Sequence, residues 1–346
     1  MTGAGGQLPY ATPGLPGAGG LAKVAPEDFE VEELPAYAPC GSGEHLYLWI
    51  EKRGRETREV AQAVARALSV PEREVSWAGL KDRQALSRQW LSVRTPASPA
   101  SVEGDGFRAL ALSRHQNKLR PGHLKGNRFT VLLRGAAGVE AARDVLAALV
   151  RGGAPNWFGA QRFGRDGDNA ALGLALLGRG GHPALERARR DRFLRKLALS
   201  ALQSELFNRV LARRLAESAL DRAESGDLLQ KGDDGRGPLF LCESTEADAP
   251  RVAAFEVSPT GPMFGPRMRR PAGEPARREA AVLAEAGLDE ALFERGGGET
   301  EGTRRPLRVR PADAAAEEAP EGLRISFSLP PGAYATAVLR EITKSG

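Results

Sequence analysis

One short segment of this 346-residue chain carries a charge pattern suited to chemistry. Ala78-Gly79-Leu80-Lys81-Asp82-Arg83 sets a single carboxylate between two cations, ahead of the strand-like Gln89-Trp90. Neighbouring cations favour the charged form of an acid. A carboxylate that stays ionised serves as nucleophile or base towards a sugar or a nucleobase. The same residues also fit a turn held by a local ion pair, and from the motif alone both readings stand. Other chemistries lack their signatures. No Gly-x-Gly-x-x-Gly opens a helix, and neither a Walker lysine loop nor a Gly-x-Ser-x-Gly elbow is present. Cys40 and Cys242 are the two cysteines, without Cys-x-x-Cys or His-x-x-x-His spacing. No metal site, disulfide framework or cofactor is therefore expected, and a reducing cytoplasm fits.

The charge distribution supplies a second candidate. Lys and Arg number 49 against 44 Asp and Glu, a net +5 that names no partner. Between Arg108 and Gly138, however, stand Arg114, Lys118, Arg120, Lys125, Arg128 and Arg134, with His115 and His123 and no acid. Such a run is either a solvated basic face or a phosphate-binding surface, and the lack of compensating acids favours the latter. No run of about 18 apolar residues occurs, so no membrane span is expected. The first 22 residues also lack the basic and apolar regions of a secretory signal.

The elements that must position these residues fall into three stretches. Residues 1–18 are rich in Gly and Pro and read as a disordered tail. Then come strand-like alternations at His45–Ile50, Gln89–Val93, Phe107–Leu112 and Phe129–Leu133, with a helical pattern at Thr57–Leu68 that Thr57 can cap. The middle of the chain holds a long helix over Arg189–Leu215, a Pro- and Gly-rich stretch over Ser258–Pro271, a helix over Ala276–Ala286 and a loop at Gly296–Gly298. Strand patterns return at Leu307–Val309 and Leu323–Leu329, before a closing helix over Tyr334–Ile342. The simplest architecture is α+β: a strand-rich domain built from residues 19–152 and 306–346, with an α/β domain of residues 153–305 inserted between its halves.

Five or more blocks in order resemble the TruD family of tRNA pseudouridine synthases. They include Pro26-Glu27-Asp28-Phe29, Gly79-Leu80-Lys81-Asp82-Arg83 and Gly126-Asn127-Arg128-Phe129. Further along come Asn156-Trp157-Phe158-Gly159-Ala160-Gln161-Arg162-Phe163-Gly164, Leu199-Ser200-Ala201-Leu202-Gln203-Ser204, Thr260-Gly261-Pro262 and Leu329-Pro330-Pro331-Gly332-Ala333-Tyr334. The resemblance implies a pseudouridine-synthase catalytic domain with a mixed, largely antiparallel sheet, and an inserted family-specific domain. It implies isomerisation of uridine 13 of transfer RNA, with Asp82 as the catalytic carboxylate. Phe29, Asn127 and Tyr334 inherit contacts to the target base, Tyr334 standing where the family often has Phe. Lys23 and Lys81 are also expected at the substrate-binding site, and Lys118, Lys125 and Arg128 are the expected phosphate contacts. Gln161 and Arg162 are expected to pin the domain junction.

That reaction moves a glycosidic bond from N1 to C5 without redox change, which requires no cofactor and no obligatory protein partner. The base must leave its stack, so an aromatic platform and edge-reading groups are needed. Two rivals use the same residues differently. A non-catalytic RNA-binding protein or RNA chaperone would keep the basic run and the aromatics without needing Asp82. A glycosidic hydrolase would require a second acid in a comparable block, and none is evident.

Overall fold

The structure, a computed structural model, describes residues 8–232 and 235–345. Strand β1 (Phe29–Pro35) buries Phe29, Val31 and Glu33 and turns Glu30 and Glu32 the other way. Strand β2 (His45–Arg53) runs three residues beyond its expected end, and α1 (Thr57–Ala67) covers Leu46, Leu48 and Ile50 with Val60, Ala61 and Val64. Glu56, not Thr57, is the helix N-cap, and Glu59 folds back onto its N–H at 2.8 Å. The Thr57 hydroxyl is thereby left for the site. Strands β3 (Val75–Trp77), β4 (Leu86–Arg94), β5 (Glu103–Gly104), β6 (Phe107–His115) and β7 (Leu124–Arg134) follow, then α2 (Val139–Gly152).

The middle of the chain contains β8 (Ala154–Pro155), α3 (Asn169–Leu176), α4 (Leu185–Arg190), α5 (Arg192–Ala216), β9 (Leu228–Lys231), β10 (Leu239–Leu241), α6 (Thr245–Ala253), β11 (Val257–Met263), α7 (Gly273–Glu285) and β12 (Thr303–Pro306). Strands β13 (Arg308–Val309), β14 (Ala312–Ala319) and β15 (Gly322–Leu329) then lead to α8 (Ala335–Thr343).

One nine-stranded sheet takes strands from both ends of the chain, in the order β14-β15-β7-β1-β4-β2-β6-β5, with β3 beside β4. Only the central β1–β4 pair is parallel; the other pairs are antiparallel. The sheet is mixed and largely antiparallel, as expected. Its β14-β15-β7-β1 half packs with α2 and α8, and its β2-β4 half with α1. A separate four-stranded sheet, β10-β9-β11-β12, belongs to the middle segment. The short β8–β13 pair joins the strands by which the chain leaves the large sheet and returns.

Several expectations are corrected. The long helix begins at Arg192, because Asp191 accepts the Leu194 N–H at 3.0 Å and breaks it from α4. Part of the Pro- and Gly-rich stretch is strand β11, buried along its whole length between β9 and β12. Gly261 suits it because an added Cβ would lie 2.7 Å from Leu307 and 2.9 Å from Phe207. The Gly296–Gly298 loop forms part of a 3₁₀ segment, Glu290–Glu299, that breaks at Gly297 with φ 62°.

The largest correction concerns the N-terminus. Residues 1–7 of the supposed tail lie outside the described residues, but 8–18 form a packed strap. Glu341, fully buried on α8, accepts from Ala11 N (2.8 Å), Thr12 N (3.2 Å) and Thr12 Oγ1 (2.8 Å). Ala18 N donates to Ile342 O at 2.8 Å, and Arg340 lies over the Tyr10 ring at 3.8 Å. Glycine and proline content suggested disorder; a buried carboxylate from the far end of the chain supplies the order instead.

Candidate active site

The segment around Asp82 is held by its main chain. Lys81 N donates to Thr57 Oγ1 at 3.0 Å, Gln89 Nε2 to Gly79 O at 3.1 Å, and Gly122 N to Ala78 O at 2.8 Å. Thr57 Oγ1 also donates to Gln89 Oε1 at 2.9 Å, locking both holders together. Lys52 Nζ reaches up from β2 to the Asp82 carbonyl at 2.8 Å. The Asp82 side chain then turns back, accepting Gln84 N on Oδ1 at 3.1 Å in a local turn.

The cation beside the carboxylate is not the one its sequence neighbours suggested. Lys23 Nζ donates to Asp82 Oδ2 at 2.6 Å and lies 4.2 Å above the Phe29 ring. Lys23 holds φ +60°, a sparsely populated conformation for a non-glycine residue. Lys81 instead makes a buried pair with Glu33, 2.8 Å from Nζ to Oε2, beneath the site. Arg83 is exposed and donates to Gly54 O. Burial pushes the Asp82 carboxyl up, but the Lys23 hydrogen bond and charge, the Gln84 N–H and the Gln161 amide outweigh it. Together they hold the carboxyl below the usual aspartate value.

Around Asp82 lies a cavity of about 400 Å³ whose wall includes Lys23, Phe29, Lys81, Asn127, Phe129 and Tyr334. Besides the Asp82 segment, four chain regions line it. Phe29 comes from the buried face of β1 and packs against Phe129 of β7 at 6.0 Å between centroids. Asn127 lies two residues before Phe129, on the same face of β7, opposite Glu33 and Leu329. Gly126 beside it allows close approach, since a Cβ there would lie 2.3 Å from Leu329 O. Among the described residues the buried Asn127 Oδ1 has no hydrogen-bond partner. Tyr334 enters from the N-terminus of α8 and touches Phe158 edge-on at 6.1 Å. A larger cavity of about 660 Å³ adjoins across Gly159, Ala160 and Thr336, but Asp82 is not in its wall.

The fourth region is the aromatic-rich segment after β8. Asn208 of α5 grips Phe158 at both main-chain groups, accepting its N–H at 3.0 Å and donating to its carbonyl at 3.1 Å. Arg162 Nε donates to Ser204 Oγ at 3.0 Å, and its guanidinium also bonds Ser200, so its bonds stay within residues 153–305. Gln161 is the one whose bond runs from residues 153–305 to residues 19–152: its Nε2 reaches Asp82 Oδ2 at 3.4 Å, and it lines the cavity. The Ser-Ala-Leu-Gln-Ser block thus anchors the segment that presents Gln161.

The basic run divides by partner. Arg108 bonds Glu51, Arg114 holds the carbonyls of Thr95, Pro96 and Ala97, and Arg134 clamps Asp28 bidentately at 2.8 Å. Lys118 Nζ donates to Arg73 O at 2.8 Å. Arg120, Lys125 and Arg128 are exposed. No group of His, Cys, Asp and Glu suited to a metal occurs among the described residues. Nor is any described helix long and apolar enough to cross a membrane.

The family model described as tRNA pseudouridine synthase D (TruD) matches residues 6–188 and 182–342. The chain belongs to that family. It is 53% identical over 340 residues to a tRNA pseudouridine synthase D of Anaeromyxobacter dehalogenans (strain 2CP-C), covering 98% of this chain and 97% of the relative. Another, from Thermus thermophilus, is 45% identical over 342 residues, covering 98% and 92%. The crystal structure of a putative tRNA pseudouridine synthase D from Methanosarcina mazei superposes with a TM-score of 0.76 at 23% identity, covering 98% and 96%, and supports the fold. The chain is thus an isomerase of the tRNA pseudouridine synthase class.

Sequence reasoning passed over Glu33, Lys52 and Gln161 as site residues. Lys52 had a readable signal: it extends the Leu46, Leu48, Ile50 alternation, where a core residue is due. Glu33 does the same after Phe29 and Val31. For Gln161 no local signal exists.

Proposed function

We propose that the enzyme converts uridine 13 of transfer RNA to pseudouridine with Asp82 as the catalytic carboxylate. The observation that carries this reading is the placement of one ionised carboxylate, bonded to Lys23, in a cavity with aromatic rings and an unsatisfied amide oxygen. In the reaction the C1′–N1 bond breaks and C1′–C5 forms; N1 gains a proton and C5 loses one. Asp82 attacks C1′, attacks C6 of the uracil, or removes the C2′ proton to give a glycal. Each route starts from the ionised carboxylate, the form that Lys23, Gln84 and Gln161 favour.

In this reading Asn127 Oδ1 accepts the uracil N3–H and so satisfies its own buried acceptor. Phe29 and Tyr334 furnish the faces between which an unstacked base sits. Lys81 acts from below, as the partner of Glu33, rather than by touching the base. Lys125 and Arg128 bind phosphates, Lys118 less so because of its bond to Arg73. Residues 19–152 and 306–346 act as the catalytic domain and 153–305 as the inserted one, the latter contributing Gln161 to the joint site. The reaction takes place in the cytoplasm, where transfer RNA is processed and where free Cys40 and Cys242 are compatible with reducing conditions.

The test is to map pseudouridine in transfer RNA from cells with and without the gene, and in transcripts treated with the purified protein. Loss of the modification at position 13 alone, restored by the purified protein, is expected. Modification at another uridine with position 13 untouched would overturn the assignment of position.

A further inference from the structure

Lys52 stands where an apolar residue belongs. Its side chain follows Leu46, Leu48 and Ile50 on the core face of β2 and is 1% exposed. Among the described residues no carboxylate comes within 4.0 Å of its Nζ. The ammonium donates instead to two main-chain carbonyls, Arg55 O at 2.7 Å and Asp82 O at 2.8 Å. Burying an ammonium without a counter-ion is costly, and a leucine or methionine would complete the core. What the lysine supplies is a tie between the turn that follows β2 and the peptide of Asp82.

We propose that Lys52 is a positioning residue for the isomerisation, its ammonium fixing the Asp82 main chain so that the carboxylate meets the sugar or base at reacting distance. This rests on the reading of Asp82 as the reacting group. Misplacing a reacting atom by about 1 Å costs on the order of 100-fold in rate. Asp82 needs such a tie because it precedes β4 rather than lying in it, and Lys23 and Gln161 pull its side chain from outside the β2–α1 unit.

The charge on Lys52 can be switched. Burial pushes its ammonium down to about 8; Asp82 opposes that shift, Lys81 adds to it, and Glu56 and Glu59 oppose it. Glu103 of β5 and Arg108 of β6 line the same hollow as Lys52, and Arg53 follows it on β2. When the proton leaves, the amine keeps two N–H groups but loses the charge that strengthens both bonds. Catalysis then weakens as pH rises. Stability responds with the opposite sign, because the unfolded lysine holds its proton to higher pH and unfolding takes up a proton above about 8. A falling rate in that range is therefore not a loss of fold from this residue.

The experiment compares the parent, Asp82→Asn, Lys52→Met and Lys52→Arg, from about pH 6.5 to about 9.5. It reads single-turnover pseudouridine formation, RNA affinity and melting. Lys52→Met is expected to bind RNA within about twofold of the parent and react at least ~10-fold more slowly. Lys52→Arg, always charged, is expected to recover part of the rate and remove the alkaline fall. A Lys52→Met rate within about twofold of the parent, with Asp82→Asn inactive, overturns the proposal and leaves the Asp82 reading standing. An active Asp82→Asn overturns that reading instead. If Lys52→Met does not fold, the comparison of the parent with Lys52→Arg decides. An alkaline fall that Lys52→Arg removes or moves to higher pH supports the tie, and coincident parent and Lys52→Arg profiles overturn it.

Discussion

Deleting residues 1–18 reveals how much the N-terminal strap contributes. The deletion strips Glu341, which is fully buried, of three donors: Ala11 N, Thr12 N and Thr12 Oγ1. Hydrogen bonds to a charged group contribute about 1.5–3 kcal/mol each. They are not additive, and water reaching the opened face of α8 recovers part of the loss. Lys344 also remains as a partner for Glu341 at 3.2 Å. A net loss of roughly 3–5 kcal/mol is expected, since breaking a buried charge network is among the larger mutational effects. At about 2–4 °C per kcal/mol for chains of this order, the first melting transition drops by roughly 6–20 °C. Scanning calorimetry with urea titration measures it, and Thr12→Val, which removes one of the bonds, should give a fraction of the same effect. Because α8 carries Tyr334 at its N-terminus, activity per folded molecule should also fall. A melting midpoint within about 1 °C of the parent would refute the strap as a structural element.

Other consequences concern the site itself. Lys23→Met removes the strongest influence that keeps Asp82 acidic, so the acidic limb of the pH–rate profile should move to higher pH. The stability that Asp82 gains from its depressed value, present above the unfolded aspartate value and lost as pH falls through the folded one, should shrink in parallel in acid melts. Lys125→Ala and Arg128→Ala should weaken RNA binding and reduce the salt slope by about one each; Lys118→Ala should do less, because its ammonium is engaged by Arg73 O. Filter-binding titrations across salt would distinguish them. Tyr334→Phe should stay within a few-fold of the parent in single turnover, while Tyr334→Ala should lose stacking worth roughly 1–3 kcal/mol.

The elements that could be read from sequence are those whose order is local. Period-two alternation marks β2 and β15, and helical spacing marks α1 and α8 to within a few residues. Asp82 was legible through its motif and through family resemblance. Its electrostatic partner was not. Lys81 and Arg83 adjoin Asp82 in sequence, yet backbone direction sends Lys81 inward to Glu33, while Lys23 arrives from 59 residues away. Gln161 arrives from 79 residues away on a segment anchored by α5. The strap was illegible for the same reason. Gly and Pro content describes what residues 8–18 do alone, and Glu341 lies about 330 residues downstream. Strand β11 shows tertiary cover overriding the turn propensity of Pro259, Gly261 and Pro262.

Single-turnover conversion by Asp82→Asn tests the central claim most directly. The substitution keeps size and most hydrogen bonding but removes nucleophile and base together. Measured on a transfer RNA carrying the target uridine, beside a binding titration and a melting curve, the folded variant should form no pseudouridine. Its RNA affinity should change by less than about tenfold, or ~1.4 kcal/mol. Near-parental turnover by the folded variant would contradict the catalytic role of Asp82 and reduce its bond to Lys23 to a structural ion pair.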